Sequence, residues 1–197
     1  MNTKSQTNFF QETVIYASRV KQFDKTDWWV YFAWVGLMYG LFAAVFGFLV
    51  GGHLHGVTYP PYVWNIPIGI FIFSTAITFD TIGHRTIYKE YLQQAEALVH
   101  HITIFAGITS TLLLCVAYHA PVFLKIPALV MVGLSIFYSI VDEALHWHRY
   151  MTKNSDRVEM WSHFFIFVGH LIMVVAWSQW FLDGYPGVAE TVATLNL

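Results

Sequence analysis

Between Val141 and His170 the chain reads VDEALHWHRYMTKNSDRVEMWSHFFIFVGH. This places Asp142, Glu143, His146, His148, Glu159, His163 and His170 where one apolar run ends and the next begins. Carboxylates and imidazoles three or four residues apart share a helical face, and together they make an oxygen-and-nitrogen donor set for a metal ion. An upstream stretch carries the same order of features. DTIGHRTIYKEYLQQAEALVHHITIFAG laid over DEALHWHRYMTKNSDRVEMWSHFFIFVG, with one inserted residue, matches Asp-x-x-x-His, a charged connection holding Tyr88 or Tyr150, Glu-x-x-x-His, and an apolar continuation ending in Gly. The pairs are Asp80 with His84, Glu96 with His100, Asp142 with His146, and Glu159 with His163. Glu143-x-x-His146 also has the i, i+3 spacing of soluble di-iron bundles. A second register sets His84-Arg85 on His148-Arg149 and puts His148 in place of His146. The neighbours Asp142 and Glu143 point about 100° apart on a helix, and spacing does not choose between them.

The elements that must position these residues are long and apolar. Of 197 residues, 56% are hydrophobic and only 11% charged, a composition of the bilayer rather than of a soluble domain. About 20 apolar residues make a spanning helix, and five stretches qualify: 28–51, 65–83, 99–119, 124–145 and 161–182. The expected fold class is an all-α integral membrane protein, a five-span helical bundle with two parallel-repeat helical hairpins around a metal site. Residues 1–26 read as a cytoplasmic segment with an interfacial helix, 27–183 as the transmembrane metal-binding domain, and 184–197 as a short extracytoplasmic tail. Trp28, Trp29, Trp64, Trp147, Trp161, Trp177 and Trp180 fall near the expected span ends, as interfacial side chains do. The first span carries Gly36, Gly40, Gly47 and Gly51 at small-xxx-small spacing, which predicts close helix packing and an oligomer through this span. His53 and His55 sit in a Gly- and Pro-containing connection that reads as a compact turn with exposed polar residues.

Charge gives an orientation. Lys4, Arg19, Lys21, Lys25, Arg85, Lys89, Arg149, Lys153 and Arg157 fall on one side of a five-span topology and Lys125 alone on the other. The positive-inside rule then puts the N-terminus and the acid–histidine pairs at the cytoplasmic face of a cell inner membrane, with the C-terminus outside. A single acid or histidine at a span end is often interfacial decoration. Four acid–histidine pairs on one side are harder to read that way, because ionisable groups near hydrocarbon are costly and tend to mark function. The expected ligand set is Asp80, His84, Glu96, His100, Asp142, Glu143, His146, Glu159 and His163, with His170, two turns deeper, as a ligand or a group orienting one. No catalytic residue is expected beyond these. The lone Cys115 excludes a thiolate cluster and an intramolecular disulfide, and the chain lacks the basic surface that nucleic-acid binding needs. Two metal ions fit so many ligands. Fe is the first choice, with Cu, Zn and Mn as alternatives.

Asp- and His-rich clusters at cytoplasmic span ends, together with Trp147-His148-Arg149 and Glu96-x-x-x-His100-His101, resemble the histidine-rich membrane di-iron oxygenases: fatty-acid desaturases, sterol and fatty-acid hydroxylases, and alkane hydroxylases. Asp80, His84 and His100, then Asp142, His146 and His163, follow an order similar to that in the C subunit of membrane copper monooxygenases. The first resemblance implies an oxidoreductase that hydroxylates or desaturates a lipid, isoprenoid or hydrocarbon among membrane lipids. A separate electron-donor protein is implied too, since the chain has no flavin, nicotinamide or iron–sulfur motif. The alternatives are a divalent-metal transporter or metal-binding membrane protein, a copper monooxygenase-like subunit, and a metal-dependent hydrolase, for which a His-Glu-x-x-His box is missing.

Overall fold

A computed structural model describes residues 8–87, 94–153 and 156–197, without the side chains of residues 94–96 and 153. Among the described residues every regular element is helical: α1 (Phe9–Ala17), α2 (Lys25–Leu54), α3 (Asn65–Thr86), α4 (Gln94–Val116), α5 (Pro121–Lys153), α6 (Arg157–Leu182) and α7 (Val188–Leu195), with 3-10 turns at Ser18–Gln22 and Pro61–Trp64. Five of the helices are long and apolar enough to cross a membrane.

Local chemistry sets the helix starts. Asn8 caps α1, its Oδ1 accepting from the Phe10 amide at 3.2 Å. Asp24 and Asp27 form a reciprocal capping box on α2: the Asp27 amide donates to Asp24 Oδ1 at 2.8 Å and the Asp24 amide to Asp27 Oδ2 at 3.1 Å. The second Asp also has a tertiary task, because Arg85 Nε, from the end of α3, donates to Asp27 Oδ1 at 2.7 Å. In this way a cap at the start of α2 fixes the end of α3.

The tightest helix pair is α3 with the antiparallel α6. A β-carbon on Gly69 would lie 2.6 Å from the Met173 amide nitrogen, and one on Gly169 2.5 Å from that of Phe73. Backbone therefore meets backbone, an approach that only glycine allows. Helix α4 packs on α5, α5 on α6 and α2 on α3, while α2 and α4 scarcely touch. The close partners are thus α3 with α6 and α4 with α5, each pair drawn from both halves of the sequence repeat.

The small-xxx-small glycines of α2 make little contact within this single chain. Gly36, Gly40 and Gly47 face open space within this chain, while Gly51 meets Leu195 of α7 and Gly52 meets Tyr59 and Thr191. Trp177 and Trp180 are buried at 5% exposure in the core with Leu49, Val63, Ile66 and Tyr185, whereas Trp28 and Trp29 are exposed. The C-terminal tail is partly helical, since α7 folds back onto α2. His53 and His55 are exposed.

Candidate metal centre

The ends of α3 and α5 and the beginnings of α4 and α6 meet at one end of the bundle, and each contributes to a cluster. From α3 come Asp80 and His84, from α4 His100, from α5 Asp142 and His146, and from α6 His163. Two overlapping sets, His84–His100–His163 and Asp142–His146–His163, each have donor atoms within 4.8 Å of one another. The His146 and His163 rings stack with centroids 3.3 Å apart at 19°, and those of His84 and His100 with centroids 4.9 Å apart at 24°. His100 to His163 is 6.0 Å on the same measure, so all four imidazoles form one group.

Carboxylates tie the rings together. Asp80 reaches two of them, with Oδ2 3.6 Å from His84 Nε2 and Oδ1 3.2 Å from His163 Nε2. Asp142 Oδ2 lies 3.2 Å from His100 Nδ1. His146 Nδ1 lies 2.8 Å from the Asp142 carbonyl oxygen, which makes that nitrogen the protonated donor and leaves the Nε2 lone pair free. A backbone carbonyl fixing the tautomer of an imidazole is how proteins prepare a metal-ligating histidine.

The free valences are the main chemical fact here. His146 Nε2, His163 Nε2, Asp80 Oδ1 and Asp142 Oδ1 are buried and make no well-formed hydrogen bond, and the same holds for both oxygens of Glu143. Buried polar atoms are nearly always paired, and an exception calls for a cause such as an ion. Six residues at this end, Asp80, Asp142, Glu143, His146, Glu159 and His163, are less than 10% exposed, so water does not readily substitute. Three or four imidazoles with carboxylates and no sulfur suit Fe, Mn or Zn.

The expected ligands divide accordingly. Asp80, His84, His100, Asp142, His146 and His163 are brought together. Both Asp142 and Glu143 are buried, and His146 lies in the cluster while His148 is exposed. Glu159 is buried beside the cluster but forms an ion pair with Arg149. His170 sits apart, its Nε2 3.1 Å from Ser135 Oγ. The Glu96 side chain and Tyr88 fall outside the described residues. His101 is exposed, with Nδ1 2.6 Å from the Ala97 carbonyl oxygen. Arg149 counts in the sequence as a topological charge and a motif neighbour, but its place at the site is not expected there. It is 8% exposed, and a signal for it exists, since it follows His146 by three residues and so shares its face.

Apolar space adjoins the cluster. A cavity of about 90 Å3 is walled by Asp80, His100, Asp142 and His163 at one end and reaches His170 at the other. Comparisons with protein-family models, curated proteins and solved structures return no match, so the role of this centre rests on its own geometry.

Proposed function

We propose that the chain is a multi-pass membrane oxidoreductase whose acid–histidine cluster holds two metal ions, iron for preference, and oxygenates an apolar substrate. The observation that carries this reading is the cluster itself: four helices deliver four histidines and at least two carboxylates to one buried place, and leave His146 Nε2 and His163 Nε2 without a well-formed hydrogen bond there. The two overlapping donor sets suit two ions sharing the neighbourhood of His163, and Glu143-x-x-His146 adds the spacing of soluble di-iron sites. The two α-hairpins of the sequence repeat, α3–α4 and α5–α6, are then related by a pseudo-twofold running through the centre.

In this reading the ions supply O2 activation, and the chain's own residues set geometry and exclude water. Asp80 and Asp142 hold and orient the imidazoles, the Asp142 carbonyl keeps the His146 tautomer, and Arg149 neutralises Glu159. For hydroxylation, one atom of O2 enters a C–H bond and the other leaves as water. The balance needs two electrons and two protons, delivered by a separate reductase protein on the cytoplasmic side. Location follows from charge: the positive residues gather at the cluster's end of the bundle, which favours the cytoplasm for that end. Transport is the weaker reading, since transporter sites lie near the bilayer midplane on broken helices, whereas these ligands gather at one end of continuous ones.

Elemental analysis of the full chain purified in mild detergent tests the proposal. The expected result is ~2 irons per chain, lost in an Asp142→Ala/His163→Ala variant, with O2 consumption when a chemical reductant and lipid are supplied. Zinc alone would redirect the reading to hydrolysis or transport and copper to monooxygenase-like chemistry. Protein free of metal after growth and purification with each of these ions would overturn it.

A further inference from the structure

The α3–α6 pair is fastened at two places, and the contact of Asp80 Oδ1 with His163 Nε2, 3.2 Å, lies between them. One fastening is the crossing of Gly69 and Gly169, where backbone meets backbone. The other stands at the ends of the same two helices and is made by the N-terminal segment. Tyr16 of α1 is 1% exposed and forms a small core with Ile82 of α3 and Val158 of α6, backed by Val20, Phe23 and Tyr31. This core is separate from the main one. Ile82 sits two residues from Asp80, about 200° around the helix, so α1 grips α3 from behind while Asp80 faces the centre.

Charge closes the same joint. Arg157, the first residue of α6, donates from Nε to Glu12 Oε2 at 2.9 Å and from Nη2 to Glu12 Oε1 at 2.7 Å. Arg19 Nη1 lies 2.8 Å from Asp156 Oδ2, and its guanidinium stands 4.8 Å from the centroid of the Tyr16 ring. The segment then runs through Asp24 to Asp27, which holds Arg85 at the end of α3. The start of α6 and the end of α3 are thus tied to one short stretch of chain.

The two fastenings differ in what can undo them. The glycine crossing is a backbone contact inside the bundle, indifferent to salt. The side chains of the two ion pairs on α6 are 23–47% exposed, and charges in water are screened over ~8 Å at physiological ionic strength and ~3 Å at 1 M. Phe10, Val14 and Ile15, on the other sides of α1, are exposed, an apolar surface of the kind that rests in the headgroup boundary of a bilayer. The helix has somewhere to go when its ion pairs part.

We propose that α1 and the turn after it form a salt-sensitive clasp on the metal centre. Closed, the clasp holds Asp80 of α3 against His163 of α6 and retards loss of the ions. Open, it lets the two helix ends part, and the ions exchange with the solution. This rests on the metal-bound reading of the cluster and adds a point of control to it.

Chelator trapping tests the clasp on the full chain in nonionic detergent, loaded with Co(II), an ion that nitrogen and oxygen donors hold. Cobalt retained against EDTA is followed by elemental analysis, and opening of the clasp by hydrogen exchange of Phe9–Ala17. Raising the salt to ~1 M should speed both. Glu12→Gln/Asp156→Asn should speed cobalt loss at low salt about fivefold, the scale that two exposed ion pairs allow, and leave little further response to salt. Glu12→Arg alone should lose cobalt at least as fast, and Glu12→Arg/Arg157→Glu should return the slow rate, a rescue that damage to the fold would not give. Faster exchange at Phe9–Ala17 with constant cobalt loss, a salt response unchanged in the neutralised variant, or a charge swap that fails to restore retention would each overturn the proposal. A native chain that takes up neither Co(II) nor iron would sink the oxygenase reading along with it, whereas metal held equally well with α1 bound or released would sink the clasp alone.

Discussion

The two ends of the bundle treat buried polar atoms in opposite ways. At the end where α6 finishes, the groups satisfy one another: Tyr59 Oη pairs with Thr191 Oγ1, Trp180 Nε1 donates to the Pro186 carbonyl at 3.0 Å, and Tyr185 Oη to the Leu114 carbonyl. Of the buried side-chain atoms there, Ser178 Oγ lacks a partner. At the end where α6 begins, Asp80, Asp142, Glu143, His146 and His163 all keep at least one such atom. An unsatisfied buried polar atom costs ~1–3 kcal/mol; Asp80 and His163 face each other at 3.2 Å, so that cost falls on Asp142, Glu143 and His146 unless something binds them. The first end is complete as it stands, and the second keeps the donor atoms that the proposed ions would use.

The sharpest way to break that contrast is His163→Ala. His163 belongs to both donor sets, so its loss should abolish metal binding by elemental analysis, a larger effect than the ~10–100-fold typical of a group that merely orients a ligand. Added Fe(II) should raise the unfolding temperature of the native chain and not of this variant, because only a state that binds is stabilised by mass action. Thr191→Val at the other end should lower stability and leave metal content alone. If both variants lost metal equally, the division between the ends would fail.

Next in size is Arg149→Met. Losing one member of a buried ion pair costs ~3–5 kcal/mol, here the pair of Arg149 with Glu159. Thermal unfolding of the metal-loaded protein distinguishes two roles for that acid. If Glu159 also ligated a metal, the ion would take over as its partner and the loss would be small. A structural role for the pair predicts the full loss, largely restored in Arg149→Met/Glu159→Leu.

A smaller effect separates two sets of glycines. Gly169→Ala forces a β-carbon against the Phe73 backbone and should cost ~1–3 kcal/mol by overpacking. Gly40→Ala meets open space and should change stability by less than ~1 kcal/mol. Denaturation of the two variants side by side decides this.

Those glycines also show what a sequence can and cannot say. Five helices are legible in it because apolar runs of spanning length are rare in chains that stay in water, and the acid–histidine cluster is legible because four pairs recur at a spacing that fixes their faces. The repeated glycines of α2 carry the plainer packing signal, yet the backbone contact is made by Gly69 and Gly169, each alone in its helix at that level. Spacing within one helix reports which residues share a face. It does not report which face a distant helix will meet. Glu159 and Arg149 make the same point: the acid is visible at ligand spacing, but its partner on α5 depends on how α5 crosses α6. Trp177 and Trp180 look interfacial by position, and are core because Tyr185 and α7 fold back over them.

The smallest expected effect uses the satisfied end as a pH reporter. Tyr185 is 5% exposed, and burial pushes its phenol well above the ordinary tyrosine range. A group whose ionisation is harder in the folded than in the unfolded chain contributes stability that is intact below the unfolded value, ~10 for tyrosine. That contribution is lost as pH rises toward the folded value, because the unfolded chain gives up its proton first. The native protein should therefore lose stability progressively above about pH 10. Tyr185→Phe should cost ~1 kcal/mol at neutral pH through the lost hydrogen bond to Leu114 and should flatten the alkaline decline. Unfolding temperatures of both proteins across that range, with metal content followed in parallel, would show whether the alkaline loss originates at this end. A decline unchanged in Tyr185→Phe and accompanied by metal release would move its origin to the histidine cluster.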